Sequence, residues 1–140
     1  VEALRRRGIY EEALLRAFCA ARENNRRFST RRQRDLFETA DRERLRTAGH
    51  PLPHDGPFTI YRGVSGRGAA RRVRGLSWTG SFDRARWFAE RYPHLGDPGV
   101  YRATVGASAV LAYINDRQEE EYVVILPDGE RVLRVWRGSA

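Results

Sequence analysis

The sequence contains no lysine and no methionine, and it has one cysteine, Cys19, and three histidines. A single cysteine excludes an internal disulfide framework and a cysteine-based zinc site. The histidines have no helical or strand spacing to a carboxylate, which favours surface positions over a metal site. No apolar run approaches the roughly 20 residues that a membrane-spanning helix requires. These absences exclude the disulfide-rich and transmembrane classes, and we expect neither a metal nor a membrane partner.

The positive charge of the chain is carried entirely by arginine. With 26 arginines against 18 acidic residues, the net charge is +8. A basic surface attracts nucleic acid, and arginine makes bidentate contacts to phosphate that lysine does not make. The same composition also follows from codon bias in a GC-rich genome. The sequence leaves these two interpretations open.

The length of 140 residues fits one domain of ordinary size. We interpret residues 1–140 as a single domain, with a helical part over 1–50 and a β-rich core over 51–140. A segment rich in proline, glycine and histidine separates the two parts near residues 49–57. Because the chain begins with Val1, we expect a mature or excised fragment.

Helical periodicity dominates the first third of the chain. Apolar residues at helical spacing predict a first helix that ends at Asn24-Asn25. Ser29 or Thr30 is placed to cap a second helix, which Gly49 and Pro51 bring to an end. This part of the chain therefore supplies two amphipathic helices.

Short strand patterns with turn residues between them fill the rest of the chain. The predicted strands are Phe58–Arg62, Arg74–Trp78, Val100–Val105, Val110–Ala112, Glu121–Leu126 and Arg131–Val135. One helix over Phe82–Tyr92, capped by Ser81 and ended by Pro93, interrupts them. Asp128-Gly129 predicts a tight hairpin turn between the last two strands. Helices first and strands later indicate an α+β domain.

Three consecutive glutamates, Glu119, Glu120 and Glu121, open the fifth predicted strand. Alternation along a strand places Glu119 and Glu121 on one face and Glu120 on the other. Two carboxylates that share a face repel each other, a cost found more often at binding or catalytic sites. The alternative is a solvated strand end, since charged residues are mostly exposed.

Several common enzyme signatures are missing. The chain has no Gly-x-Ser-x-Gly elbow, which argues against a serine hydrolase of that type. The glycines at 63, 66 and 68 lack both the spacing and the lysine of a phosphate-binding P-loop. No βαβ unit surrounds them, so a dinucleotide-binding Rossmann cradle is also unsupported.

Three motifs occur in an informative order. Tyr61-Arg62-Gly63 ends one strand, and Gly75-Leu76-Ser77-Trp78-Thr79 lies on the next and precedes the helical Ala-x-x-Phe-Ala of Ala85–Ala89. Glu119-x-Glu121 opens a later strand. Over roughly residues 58–127 this order resembles the arginine-serine-glutamate class of ADP-ribosyltransferases, in particular small bacterial and phage-associated toxins. The resemblance implies an α+β fold in which N-terminal helices pack on two small antiparallel sheets that form an NAD cleft.

The resemblance also implies roles for individual residues. Glu121 would bind a ribose hydroxyl of NAD and stabilise the charge that develops on that ribose, while Glu119 would orient or deprotonate the acceptor. Ser77 would donate a hydrogen bond to Glu121 and fix its rotamer. The implied NAD-binding residues are Arg62, Gly63, Tyr61, Ser77, Trp78, Thr79 and Phe88. The implied acceptor loop contains Tyr113, Asn115, Asp116 and Arg117.

Two of these assignments have structural alternatives. Trp78 takes the place of the family's middle threonine, and it is equally well explained as a core or surface aromatic residue. Phe88 belongs, with Tyr92, to an apolar stripe at helical spacing, and such a stripe is more often core than pocket wall.

The implied reaction is mono-ADP-ribosylation, with NAD as co-substrate and a macromolecule as acceptor. Within the family a Glu-x-Glu motif accompanies arginine modification, whereas the basic charge of this chain favours RNA or DNA. We favour nucleic acid, followed by a protein arginine. A toxin or effector of this kind would act in the cytoplasm, alone or delivered as part of a larger toxin, and would have a cognate inhibitor as partner.

Two further interpretations remain open. One is a non-catalytic, basic nucleic-acid-binding module in which arginines and exposed Trp78, Trp87 or Tyr113 contact phosphates and bases. The other keeps the transferase-like fold without its activity, as a toxin-like domain that acts through a partner. Binding of NAD separates the enzyme from the binding module.

Overall fold

The computed structural model of the protein describes residues 9–23, 30–68 and 71–138. Across these ranges the chain forms four α-helices and a six-stranded antiparallel sheet, which confirms the predicted α+β class. The helices are α1 (Tyr10–Glu23), α2 (Thr30–Glu38), α3 (Arg42–Ala48) and α4 (Phe82–Glu90). The strands are β1 (Phe58–Val64), β2 (Ser77–Thr79), β3 (Gly99–Val105), β4 (Val110–Ile114), β5 (Glu121–Val124) and β6 (Leu133–Arg137). None of these described helices combines the length and the apolar character needed to cross a bilayer.

The N-terminal helices follow the predicted periodicity with one correction. The predicted second helix is two helices, α2 and α3, because Asp41 accepts a hydrogen bond from the backbone nitrogen of Arg44 at 3.0 Å and starts a new helix. Helix α2 begins at Thr30. The predicted helix end at Asn24-Asn25 and the predicted cap Ser29 lie outside the described residues.

Helix α4 begins where its sequence predicts. The side chain of Ser81 accepts a hydrogen bond from the backbone nitrogen of Arg84 at 3.1 Å, which confirms Ser81 as the N-cap. The helix ends at Glu90, and a short 3₁₀ turn over Pro93–Leu95 follows. Its buried side, formed by Ala85 and Ala89, packs against the sheet.

The strand order of the sheet is β4-β5-β2-β1-β3-β6. This order contradicts the predicted hairpin at Asp128-Gly129, because β6 pairs with β3, whereas β5 pairs with β2 and β4. A turn does form there, with the backbone nitrogen of Glu130 bonded to the carbonyl of Pro127 at 2.9 Å. The turn chemistry was therefore recognised correctly, but the chain after it crosses to the opposite edge of the sheet.

Two three-stranded halves make up this sheet. Strands β4, β5 and β2 form one half and β1, β3 and β6 form the other, and the two halves join at the single register pair Tyr61 and Thr79. The expectation of two separate small sheets is therefore wrong for the described residues. The sheet is continuous, although only one residue pair joins its halves.

Helices cover one face of the sheet on both halves. Directly opposed residues of paired strands share a face, so Tyr61, Thr79 and Glu121 lie on the same side. On that side α1, α2 and α3 pack around Val123, and α4 packs around Tyr61. Trp78 and Tyr122 belong to a separate core on the opposite face. The register thus sets Thr79 and Glu121 between the N-terminal helices and α4.

Candidate active site

A serine and a glutamate are in contact across two adjacent interior strands, β2 and β5. The hydroxyl of Ser77 on β2 donates a hydrogen bond to Oε1 of Glu121 on β5 at 2.9 Å. Thr79 lies directly opposite Glu121, so Ser77 is its diagonal neighbour on the same face. Glu121 is only 1 % exposed. A carboxylate at this depth loses most of its hydration, and the serine donor replaces part of what water would supply.

The other glutamate of the motif lies outside the strand. Strand β5 begins at Glu121, and the chain before it turns sharply, with positive φ angles of 59° at Gln118 and 49° at Glu120. The alternation that predicted a shared face for Glu119 and Glu121 therefore does not extend to Glu119. Glu120 is exposed on this turn and not on the opposite face of the strand, where alternation placed it.

Thr79 fixes the turn and the start of α4 together. Its hydroxyl donates a hydrogen bond to the carbonyl oxygen of Glu119 at 3.1 Å and accepts one from the backbone nitrogen of Ser81 at 3.1 Å. Because Thr79 is itself a buried strand residue, both segments are tied to the sheet. The structure thus brings Ser77, Thr79, Glu119 and Glu121 together.

The side chain of Glu119 forms an ion pair with helix α4. Nη2 of Arg84 lies 2.7 Å from Oε1 of Glu119, and the Glu119 side chain is 14 % exposed. The guanidinium of Arg84 also lies over the rings of Trp87 and Phe88, at 5.3 and 5.5 Å from their centroids. Phe88 therefore borders the Glu119 side of the site through Arg84.

Arg62 links β1 to the strand that carries Ser77. Its Nε donates to the carbonyl of Arg72 at 2.8 Å and its Nη1 to the carbonyl of Ser77 at 2.8 Å. A side chain at Gly75 would overlap the guanidinium, so this glycine makes room for it. Burial, together with the charge of Arg72, lowers the pKa of Arg62 to about 10, so the group stays positively charged at neutral pH.

Two neighbours of Arg62 contact helix α4. The ring of Tyr61 meets Phe82 edge to face, with centroids 5.8 Å apart. A side chain on Gly63 would overlap the carbonyl oxygen of Ala85, so the glycine lets β1 approach the helix backbone. The structure accounts for both residues by packing, and their contact with NAD stays a prediction.

Two predicted site aromatics lie in the core of the opposite face. Trp78 is 1 % exposed, and its Nε1 donates to the carbonyl of Gly75 at 2.8 Å. Tyr113 is a buried residue of β4, which continues beyond the predicted end at Ala112, and its ring lies 4.8 Å from that of Tyr122. The fold does not bring either side chain to Glu121, because both project from the other side of the sheet.

The rest of the predicted acceptor loop forms a turn before β5. Asn115 accepts a hydrogen bond from the backbone nitrogen of Glu120 at 3.2 Å, and its own backbone nitrogen donates to Nδ1 of His50 at 3.0 Å. Asp116 is exposed, with its carboxylate 3.7 Å from Nε2 of His50. The side chain of Arg117 lies outside the described part of the chain.

Sequence patterns did not indicate the contacts that three residues make in this region: Arg84, Gly75 and His50. Arg84 is one of 26 arginines, and its helical position gives no indication of its partner 35 residues away. His50 lies 65 residues from Asn115 along the chain. Gly75 lies within the predicted strand Arg74–Trp78, and only the position of the Arg62 guanidinium shows why a glycine is needed there. Each of these contacts joins residues that are distant in the sequence, and a pattern in a single sequence does not show which distant residues meet.

Other clusters do not compete with this site. A cavity of about 600 Å³ between α1 and α3 involves none of the predicted site residues. It is lined by Glu11, Glu12, Asp41, Glu43, Arg44, Thr47 and Ala48. Among the residues that the structure describes, no group of three or more histidine, cysteine or acidic side chains is arranged to hold a metal ion.

Comparison of the chain with protein-family models, with curated proteins and with solved structures finds no match. A functional assignment therefore depends on two things, the sequence motifs and the geometry that joins them. That geometry consists of the Ser77 to Glu121 hydrogen bond, the Arg62 to Ser77 hydrogen bond and the Arg84 to Glu119 ion pair.

Proposed function

We propose that this protein is a mono-ADP-ribosyltransferase that uses NAD as co-substrate. The observation that carries the proposal is the hydrogen bond between Ser77 and buried Glu121, on adjacent strands 44 residues apart. Arg62 is bonded to the backbone of the same serine. The three residues that carry the family resemblance are thus connected across three strands. Arg62 joins them through the backbone of Ser77 alone, because strand alternation places its side chain on the face opposite Tyr61 and Glu121.

The residues of this group fit an anionic ligand that contains a ribose. When bound, NAD supplies a nicotinamide–ribose bond whose cleavage leaves positive charge on the ribose. Glu121 offers a carboxylate held by Ser77, in a place where electrostatic interactions are stronger than in water. Arg62 offers a permanent cation, and its two carbonyl contacts use only part of its N–H donors. We assign Glu119 to the acceptor side, where it orients or deprotonates the acceptor.

For the acceptor we favour nucleic acid over a protein arginine. Trp87 on α4 is 51 % exposed, and the guanidinium groups of Arg84 and Arg91 lie 5.3 and 5.5 Å from its ring. Exposed aromatic rings next to arginines stack with bases and neutralise phosphates. Because Arg84 also contacts Glu119, this surface continues to the acceptor side of the site. The likeness to small toxin transferases supports a toxin or effector role in the cytoplasm, with a cognate inhibitor as partner.

The central test compares two neighbouring glutamates. The Glu121→Gln variant keeps an oxygen that accepts from Ser77 but loses the charge, so we expect transfer of labelled ADP-ribose to fall by about 100-fold or more. The matched control is Glu120→Gln, at an exposed position, for which we expect unchanged transfer. Thermal unfolding should be the same for both variants. Full activity of Glu121→Gln would overturn the assignment.

The acceptor is identified in the same assay. The protein is incubated with labelled NAD and separate pools of RNA, DNA and protein, and the label is then located. We expect label in a nucleic-acid pool. Label in protein alone would show that our preferred acceptor is wrong, while leaving the transferase assignment intact.

A second candidate function is a basic nucleic-acid-binding module without catalysis. The surface around Trp87 favours it, whereas buried Trp78 and Tyr113 do not offer rings to a ligand. A module of this kind would bind RNA in a salt-sensitive manner, would not bind NAD and would be unaffected by Glu121→Gln. Calorimetric titration with NAD separates the two functions, since only the transferase predicts heat of binding.

A further inference from the structure

The carboxylate of Glu119 already has a guanidinium partner within its own chain. Arg84 approaches Oε1 of Glu119 with Nη2 at 2.7 Å, a distance typical of strong charge-assisted hydrogen bonds. The Arg84 side chain is 37 % exposed, so the pair lies at the surface of the site with one side open. An arriving acceptor would therefore meet a neutralised pair instead of an available carboxylate.

The two partners of this pair are held at their backbones. Ser81 caps α4 by accepting from the nitrogen of Arg84 at 3.1 Å, and Thr79 holds the carbonyl of Glu119 at 3.1 Å. Trp87 and Phe88 flank the guanidinium with their rings. The ion pair is thus built on a rigid helix start and a rigid turn, which reduces the entropy lost in forming it.

The hydrogen bonding of Arg84 is incomplete in this position. Its Nε is buried, and no acceptor among the described residues bonds to it. A buried donor without an acceptor lowers stability. An arginine held under these conditions is better explained by what it does at the site.

We infer that Arg84 determines acceptor specificity by excluding guanidinium groups from Glu119. This inference rests on the proposed function, because it describes the acceptor side of that same site. A substrate arginine would need the carboxylate of Glu119 as its counter-charge, and it would meet the like charge of Arg84 there. A phosphodiester meets the opposite situation, since Arg84 attracts it. The Glu-x-Glu sequence in this chain therefore does not indicate arginine modification.

The inference is tested by binding of agmatine, a small guanidinium compound, in the absence of NAD. The variants are Arg84→Met, which keeps an apolar side chain against Trp87 and Phe88, and Arg84→Ala. The matched control is Arg86→Ala on the same helix, which removes an exposed arginine paired with Glu90. The carboxyl carbon resonance of Glu119 is followed by NMR during titration.

We expect agmatine to shift the Glu119 resonance in both Arg84 variants at concentrations at least about 10-fold lower than in the wild type or Arg86→Ala. Adding Glu119→Gln to Arg84→Met should abolish the binding, and because this variant lacks the carboxyl reporter, calorimetric titration with agmatine measures it. Equal agmatine affinity in wild type and Arg84 variants would overturn the inference. Binding that survives the loss of the Glu119 carboxylate would also overturn it.

An assay with labelled NAD separates this inference from the proposed function. We expect Arg84→Met to transfer label to agmatine, whereas the wild type does not. If the wild type fails to cleave NAD under any condition, the transferase assignment falls, and the agmatine titration still decides whether Arg84 blocks Glu119. If the wild type modifies nucleic acid and also agmatine, the transferase stands and the role of Arg84 is wrong.

Discussion

The two outer glutamates of the Glu-x-Glu motif occupy different environments. Glu121 lies in strand β5, is 1 % exposed and accepts a hydrogen bond from the neutral hydroxyl of Ser77. Glu119 lies in the preceding turn, is 14 % exposed and pairs with the charged guanidinium of Arg84. One residue separates them in sequence, yet Glu121 belongs to the sheet and Glu119 contacts helix α4.

This difference shows that the backbone conformation between Glu119 and Glu121 determines which elements of the fold each carboxylate contacts. Positive φ angles at Gln118 and Glu120 end the strand alternation just before Glu121. One carboxylate is thereby buried within the sheet and the other is held in the turn before it. Glu121 depends on β2 for its orientation, and Glu119 depends on α4. The predictions below separate these two dependences.

The largest effect is expected when the contact between β1 and α4 is disturbed. In Gly63→Ala the new methyl group would overlap the carbonyl of Ala85, so the helix must move, and we expect a loss of about 3 kcal/mol in the free energy of unfolding. The matched control is Gly106→Ala, where nothing lies within 4 Å of the added carbon. Urea denaturation measures both. Equal stability of the two variants would contradict close packing at Gly63.

A smaller loss is expected when the support of Glu121 is removed. Ser77→Ala leaves the buried carboxylate without one of its donors, so we expect a loss of about 2 kcal/mol in stability and reduced transfer of ADP-ribose. Agmatine binding to Arg84→Met, which depends on Glu119, should not change when Ser77→Ala is added. Exposed Ser108→Ala serves as the control. If Ser77→Ala matches this control in stability, the hydrogen bond is not important for Glu121.

Thr79→Val preserves the shape of the side chain but removes the hydroxyl. In this variant we expect Glu119 to be affected and the Ser77 to Glu121 hydrogen bond to be preserved. The bonds to the carbonyl of Glu119 and from the nitrogen of Ser81 are lost, and we expect a destabilisation of about 1 kcal/mol. The NMR signals of the turn and of α4 should broaden or shift, while those of Ser77 stay in place. Larger changes at Ser77 than at Glu119 would contradict the link that we describe.

The smallest effect concerns the opposite face of β5 and is confined to high pH. Burial, with smaller contributions from Tyr113 and Glu120, raises the pKa of Tyr122 from 10.0 to about 12. The folded state therefore favours the neutral phenol, and this contribution to stability is complete below pH 10 and is lost as the pH rises through about 12. An absorbance titration should contain a late tyrosinate step that Tyr122→Phe removes.

The control for that titration is Tyr92→Phe, which should keep the late step. Circular dichroism at each pH establishes that the protein is still folded. Identical alkaline titrations of the folded wild type and Tyr122→Phe would contradict the burial of this phenol. Neutral-pH stability is not expected to report on its ionisation, because both states carry the proton there.

Local chemistry in the sequence was sufficient for part of the fold. The Ser81 cap, the β1 and β3 strands and the turn at Asp128-Gly129 were each recognised from neighbouring residues, because caps, alternation and turn preferences act over a few positions. The α+β class followed from the order of these elements. The motif order also led to the pairing of Ser77 with Glu121 through family resemblance.

Non-local geometry was beyond the sequence patterns. The strand partner of β6 depends on a crossover that no turn residue specifies. The helical periodicity continues through Asp41, although the side chain of Asp41 caps a new helix there. Tyr113 was assigned to the acceptor loop because the family resemblance places that loop before the glutamates, although packing against Tyr122 extends the strand. The partner of Glu119 could not be chosen among 26 arginines without the fold.

The strand order also determines when this site can form during folding. Ser77 and Glu121 are 44 residues apart, and α4, β3 and β4 lie between them in the chain. Closing so long a loop costs entropy that is recovered only when β5 docks between β2 and β4. A nascent chain that has emerged only through β3 therefore contains Arg62 and Ser77 but no acid to complete them. The Ser77 and Glu121 pair can therefore form only after the chain through β5 has been made.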